Sequence, residues 1–149
     1  EYMTTAPVLA HPNPDLPYHL ACDASDHGVG AVLFQMHGKE RRIIQYLSRT
    51  LKPHEVLYEV YEKECLAILW ALGACKPYLE MAKTTVYTDH KPLLNWKDVT
   101  AQKDGNGKRT RWSMEMSTYQ VEVIYKEGKK NSFEERRKEG GKRWWWWWL

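Results

Sequence analysis

Three acidic residues occupy settings in which a carboxylate is costly: Asp23 in HLACDASDHG, Glu64 in YEKECLAILWAL and Asp89 in TTVYTDHKPL. A carboxylate that ends an apolar strand, or lies on the buried stripe of a helix, gives up hydration that only a cation or a hydrogen-bond donor replaces. Three of them together point to a site for hard divalent cations. Each has an ordinary reading when taken alone. Asp23 serves equally as an Asx-turn residue, Asp89 as an N-cap, and Glu64 as an edge-of-stripe side chain that reaches solvent.

The segments around these acids specify how they would be positioned. From His54 to Glu80 the residues Leu57, Tyr61, Cys65, Ile68, Leu72 and Cys75 recur at spacings of three and four, which predicts one long amphipathic helix. At roughly 100° per residue, Glu64 lies about 50° from the centre of this stripe. Glu55, Glu59, Glu62 and Glu80 lie more than about 100° away and are expected to face water. Tyr18 to Cys22 reads as a strand, and the Asp-Ala-Ser-Asp-His-Gly that follows has turn chemistry before a second apolar run, Val29 to Met36. A third strand is expected over Arg42 to Leu47. A β-branched strand covers Thr84 to Thr88, and Pro92 suits the first turn of a following helix. A polar segment runs from Lys97 to Lys108, then a helix from Arg109 to Tyr119 and a strand from Gln120 to Tyr125.

Three meandering strands followed by helix and strand alternation give an α/β fold, a mixed five-stranded sheet with helices packed on it. In such a sheet the first strand can lie beside the strand that follows the long helix. That adjacency would join Asp23 to Asp89, with Glu64 above them.

The stretch TTAPVLAHPNPDLPYHLACDASDHGVGAVLFQ, followed in order by YLSRTL, YEKECLAILWAL, PYLE, VYTDHKPL and TRWSMEMSTYQVEVIYKEGKKN, closely resembles the ribonuclease H domain of gypsy-type LTR-retrotransposon Pol polyproteins. The resemblance covers about residues 4 to 131. It implies an RNase H-like fold and hydrolysis of the RNA strand of RNA/DNA hybrids with two Mg²⁺ ions, Mn²⁺ being an alternative metal. In that family a DAS motif, the second acid of EKE-x-LA and a TDH motif carry the catalytic, metal-holding acids. By resemblance these are Asp23, Glu64 and Asp89, with Asp23 shared between the ions. Ser25 and His90, beside two of these acids, are expected to touch the substrate, although each also suits a role in its own turn. The implied partners are the RNA/DNA hybrid and the reverse transcriptase domain of a parent polyprotein. The implied setting is intracellular, cytoplasmic or within a virus-like particle.

The C-terminus departs from the family pattern. An N-x-x-A-D-A-L-S-R segment is expected to supply a fourth acid, but Asn131 is followed by Ser132-Phe133-Glu134-Glu135-Arg136-Arg137. Glu135 then stands where the Asp belongs and is a candidate metal ligand. Its extra methylene would loosen an octahedral Mg²⁺ site and favour Mn²⁺. Five consecutive tryptophans, Trp144 to Trp148, follow. Tryptophan has a single codon, so the run requires a repeated triplet, which points to a damaged or shifted reading frame. The resulting division is a connector from a polymerase-side domain over 1–17, an RNase H-like domain over 18–131 and a degenerate, disordered tail over 132–149. A catalytically impaired remnant of the same fold, acting only as a nucleic-acid-binding or structural domain, is the competing reading.

Composition supports one domain with a proper core: 149 residues, 43% hydrophobic and 28% charged. The longest apolar run, Cys65 to Cys75, is too short to cross a membrane, and no membrane partner is expected. Cys22, Cys65 and Cys75 lack C-x-x-C spacing and read as reduced core thiols. The histidines show no zinc spacing, and Trp70, Trp96 and Trp112 read as packing residues. Of 22 basic and 19 acidic residues, 8 and 4 fall in 126–149, which leaves 14 and 15 in the body. The body is therefore not basic; Lys103, Lys108, Arg109 and Arg111 read first as a solvated loop, with a local patch for nucleic acid as the alternative. The tail offers no periodic apolar face, so truncation after Asn131 is expected to keep the melting temperature within a few degrees and to improve solubility. Thermal denaturation checks this, and a cooperative loss of structure would show that the tail is packed.

Overall fold

The computed structural model describes residues 9–97 and 107–126. Five strands form one sheet: β1 (Tyr18–Ala24), β2 (Gly28–His37), β3 (Glu40–Thr50), β4 (Lys83–Thr88) and β5 (Gln120–Tyr125), in the spatial order β3-β2-β1-β4-β5. The first three strands form an antiparallel meander, whereas β4 runs parallel to β1, and β5 runs parallel to β4. This is the expected mixed sheet. Gly38, at φ +63°, takes the first central position of the two-residue β2–β3 turn, where L side chains are strained. Gly28 opens β2 against its neighbour so closely that an added Cβ would stand 3.0 Å from the Arg49 carbonyl oxygen.

The long helix is broken into three. Helix α1 (Pro53–Val56) is a single turn, α2 (Val60–Ala74) carries the main apolar face, and α3 (Lys76–Leu79) is another single turn. Leu57, which the three-and-four spacing assigns to the buried stripe, is 85% exposed, and Val60 is 62% exposed. The first break falls after Val56, although Glu55 caps the start of that turn. The Glu55 carboxylate accepts the Lys52 backbone N–H at 2.7 Å and a bidentate pair from Arg49 at 2.7 and 2.9 Å. The second follows from Pro77, which has no N–H to continue the ladder. At Pro92 the expected α-helix is a 3₁₀ turn (Lys91–Asn95), and α4 is shorter than expected, Lys108–Met116.

Leu20, Leu33 and Val86 from the sheet pack against Ile68, Leu72 and Leu79 from the helices, with Leu93 and Met116 closing the core. Trp96 is buried in this core, while Trp70 and Trp112 pack against it half-buried. All three cysteines are buried and free. On the opposite sheet face Ala21, Val32, Phe34 and Ile43 form a smaller cluster. The described residues ahead of β1 are tied down. Ala10 N–H donates to the Ile43 carbonyl at 2.7 Å, and buried Gln35 holds Asn13 and Leu16 through three hydrogen bonds.

Two of the four glutamates expected in water are buried. Glu62 ion-pairs with Lys108 and, at 3.3 Å, with Arg109. Glu55, only 4% exposed, pairs with Arg49, whose hydrogen bonds hold the carboxyl down at about 2. An unfolded glutamate titrates near 4.3. The pair's contribution is therefore complete above about pH 5 and is lost as pH falls toward about 2, because the unfolded chain takes up the proton first. Glu55→Gln is expected to cost roughly 1–3 kcal/mol at pH 7. It should also flatten the fall in stability between about pH 5 and 2, as measured by urea denaturation across that range.

Candidate metal centre

Each of the three acids is delivered by a different element. Asp23 is the penultimate residue of β1 and only 3% exposed. Its antiparallel partner in β2 is Gly30, which sets no side chain beside the carboxylate. Asp89 follows the last residue of β4. The β1–β4 register pairs Ala21 with Tyr87, and two further residues along each strand bring Asp23 level with Asp89. Adjacent strands lie about 4.8 Å apart, so this register alone makes the two aspartates neighbours. Glu64 projects from the second turn of α2 and is 7% exposed. One carboxylate oxygen from each residue lies within 4.8 Å of the others.

This proximity has a clear electrostatic signature. Burial raises the Glu64 carboxyl well above the ordinary range, and the charges of Asp23 and Asp89 raise it further, against a smaller opposing effect from the Ala24 backbone N–H. The Cys22 thiol beneath is also pushed up, first by burial and then by Cys75 and the two nearest acids. The site is an acceptor-only pocket of hard oxygens. Among the described residues, it is the group of His, Cys, Asp and Glu side chains close enough to hold a metal ion.

The neighbouring side chains divide into two kinds. Ser25 is committed to the β1–β2 turn: its Oγ accepts the His27 and Gly28 backbone N–H groups at 3.1 and 3.0 Å and donates to the Gly28 carbonyl at 3.2 Å. His90 is half-buried, its ring edge-on to Tyr61 at 6.1 Å, and desolvation lowers its pKa against the pull of Asp89. Glu135 and Lys103 lie outside the described residues.

Sequence reasoning did not foresee the cationic side of α2. Lys63 is buried and sets its Nζ 3.6 Å from Asp26 Oδ1, joining the helix that bears Glu64 to the turn that follows Asp23. Lys108 and Arg109, expected in a solvated loop or a local basic patch, form ion pairs along α2. Arg109 pairs with Glu59 at 2.6 Å and lies over Tyr61, while Lys108 joins Glu62 and stands over the ring of Tyr58 at 3.8 Å. The alternation of acids and Lys63 in YEKE was the available signal, but their partners lie on distant elements.

Residues 13–119 match the family model described as the RNase H-like domain found in reverse transcriptase. The Pol polyprotein of the Drosophila melanogaster transposon opus is 41% identical over 130 residues, covering 87% of this chain and 13% of that protein. The gypsy Pol polyprotein of the same species is 39% identical over 125 residues, covering 83% and 11%. The chain thus spans roughly an eighth of these curated relatives. Among solved structures, the foamy viral protease-reverse transcriptase dRH in complex with double-stranded DNA superposes with a TM-score of 0.70 at 13% identity, over 87% of this chain and 23% of that one. RNase H1 from the archaeon Halobacterium salinarum NRC-1 gives 0.52 at 15% identity, over 74% and 86%. The sheet order and the sequence matches agree, and the chain belongs to the RNase H-like domain family of reverse transcriptases, as found in retrotransposon Pol polyproteins.

Proposed function

We propose that this domain hydrolyses the RNA strand of RNA/DNA hybrids with two divalent ions, most simply Mg²⁺, held by Asp23, Glu64 and Asp89. The observation that carries the reading is the convergence of three carboxylates at the carboxyl ends of β1 and β4 beneath α2. The residues fit such ions. The donor set is all hard oxygen, and both the burial that chiefly raises Glu64 and the added repulsion of Asp23 and Asp89 are what a bound cation offsets. When bound, the ions supply Lewis acidity, lowering the pKa of the attacking water and stabilising the departing oxygen of the scissile phosphate.

The residues of the chain do the positioning. Asp23, Glu64 and Asp89 would together hold the ions, with Asp23 the ligand that would be shared between them. The Lys63–Asp26 pair keeps α2 close to the Asp23 turn. His90, half-buried with its neutral ring favoured, is assigned to the substrate backbone, and the choice of RNA over DNA would rest on contacts to the ribose 2′-OH. Ser25 is the weaker candidate, since its hydroxyl already serves the turn. Glu135 is proposed as the fourth acid. The reverse transcriptase portion of a parent polyprotein would supply further grip on the hybrid in an intracellular setting. Among the described residues no helix is long and apolar enough to cross a membrane. The departure at residues 132–137 supports the competing reading, a nucleic-acid-binding remnant without catalysis.

Two measurements test this. Glu64→Gln in chelator is expected to leave the fold equally stable or to raise stability by roughly 1 kcal/mol, because it removes a repelled and desolvated charge. With Mg²⁺ it should lose any metal-induced rise in melting temperature shown by the parent chain. Clear destabilisation without metal would mark Glu64 as a structural residue. In a hybrid-cleavage assay, activity should require divalent metal, and Asp23→Asn or Asp89→Asn should lower the rate at least about 100-fold. Cleavage that persists in excess chelator or survives Asp23→Asn overturns the mechanism. A parent chain that binds hybrid without cleaving it is the outcome that establishes the remnant.

A further inference from the structure

Two successive residues of α2 reach the turn that follows Asp23. The Ala24 backbone N–H serves both Asp23, at 3.0 Å, and Glu64, while Lys63 sets its Nζ 3.6 Å from Asp26 Oδ1. At 3.6 residues per turn neighbouring side chains diverge by about 100°, so the helix meets residues 24–26 from two directions. The turn is itself fixed. Ser25 Oγ accepts the His27 and Gly28 backbone N–H groups, and the Ser25 N–H donates to the Gly28 carbonyl at 2.8 Å.

Stability does not account for the lysine. Lys63 is 8% exposed, and lysines are almost never so buried unless paired. Its partner stands in water, with the Asp26 side chain 67% exposed. A pair with one member in solvent returns little, whereas burying the ammonium forfeits its hydration. Methionine has a similar helix propensity and carries no such cost. What the ammonium supplies, and methionine does not, is an attachment between α2 and the turn, placed one residue from Glu64 and three residues beyond Asp23.

The spacing of the carboxylates decides which ion suits them. Mg²⁺ tolerates little departure from octahedral geometry at about 2.0–2.1 Å, whereas Ca²⁺ accepts oxygens at about 2.3–2.6 Å in a flexible shell. A small drift of α2 away from the turn therefore costs Mg²⁺ more than Ca²⁺. We propose that Lys63 is a positioning residue: by pairing with Asp26 it holds Glu64 at a set distance from Asp23 and gives the site its preference for Mg²⁺ over larger divalent ions. The inference deepens the metal-binding reading above and rests on it.

Mg²⁺ and Ca²⁺ are titrated separately into the full ¹⁵N-labelled chain, and the amide shifts of Ala24 and Gly30 report affinity with no need for cleavage. Lys63→Met should keep or raise the melting temperature, since it removes a buried charge and leaves Asp26 in water. It should weaken Mg²⁺ about 10-fold and Ca²⁺ less than about 2-fold. The sign is decisive. Removing a positive charge beside an acidic site would by charge alone strengthen both ions, so weaker binding reports position. Asp26→Asn breaks the pair from its exposed side and should also penalise Mg²⁺ more than Ca²⁺, and the double variant should bind Mg²⁺ no more weakly than Lys63→Met. Unchanged or tighter Mg²⁺ binding in Lys63→Met, equal losses for the two ions, additive losses in the double variant, or a clear fall in the melting temperature of Lys63→Met would each overturn the proposal. A parent chain that binds neither ion would overturn the metal-binding reading with it, which separates the two failures.

Discussion

The structure is organised around a repulsion. Three carboxylates are held within 4.8 Å of one another, two of them almost fully out of water. Nothing in the folding of the apolar core calls for this arrangement, and it is destabilising in the absence of a cation. Everything around it supplies rigidity. The parallel pairing of β1 and β4 fixes two acids by register, and α2 is fastened above them by its packing on β1 and β2 and by ion pairs at both of its flanks. A looser scaffold would let the acids move apart and regain water. The tightness of the frame is thus the condition for the site.

The ion pairs are unevenly distributed in a way that suits this task. Glu55 with Arg49 anchors the turn before α2, and Glu62 with Lys108 and Arg109 ties the start of α2 to the start of α4. Both glutamates are buried, so their partners replace lost hydration rather than adding a surface contact of little worth. The amino-terminal part of α2, which bears Glu64, is therefore held by charge on one side and by apolar packing on the other.

Much of this was legible beforehand, for physical reasons that differ from residue to residue. Asp23 and Asp89 were legible because each ends an apolar strand, and Glu64 because it sits near a helical apolar stripe. The meander and the adjacency of β1 and β4 followed from the alternation of elements, whereas the place of β5 did not. The breaks around α2 were not legible, because Leu57 keeps the helical spacing although the chain leaves the helix there and exposes it. Nor was the burial of Glu62 legible, since its partner Arg109 lies 47 positions away and leaves no local pattern. Gln35 was missed for the same reason: a buried amide that binds residues 19 and 22 positions earlier resembles any polar residue at a strand end.

The pairing of β1 with β4 also bears on how the site comes into being. His19 and Tyr87, which share a hydrogen bond across these strands, are 68 positions apart. Closing so long a loop carries an entropic cost that local elements such as the β2–β3 hairpin avoid. The hairpin and α2 can form from neighbouring residues, but the two aspartates meet only when β4 docks on β1. An ion that needs both carboxylates therefore has nothing to grip until assembly is nearly complete. It would stabilise the finished domain by slowing its unfolding, with little influence on how fast the chain first folds.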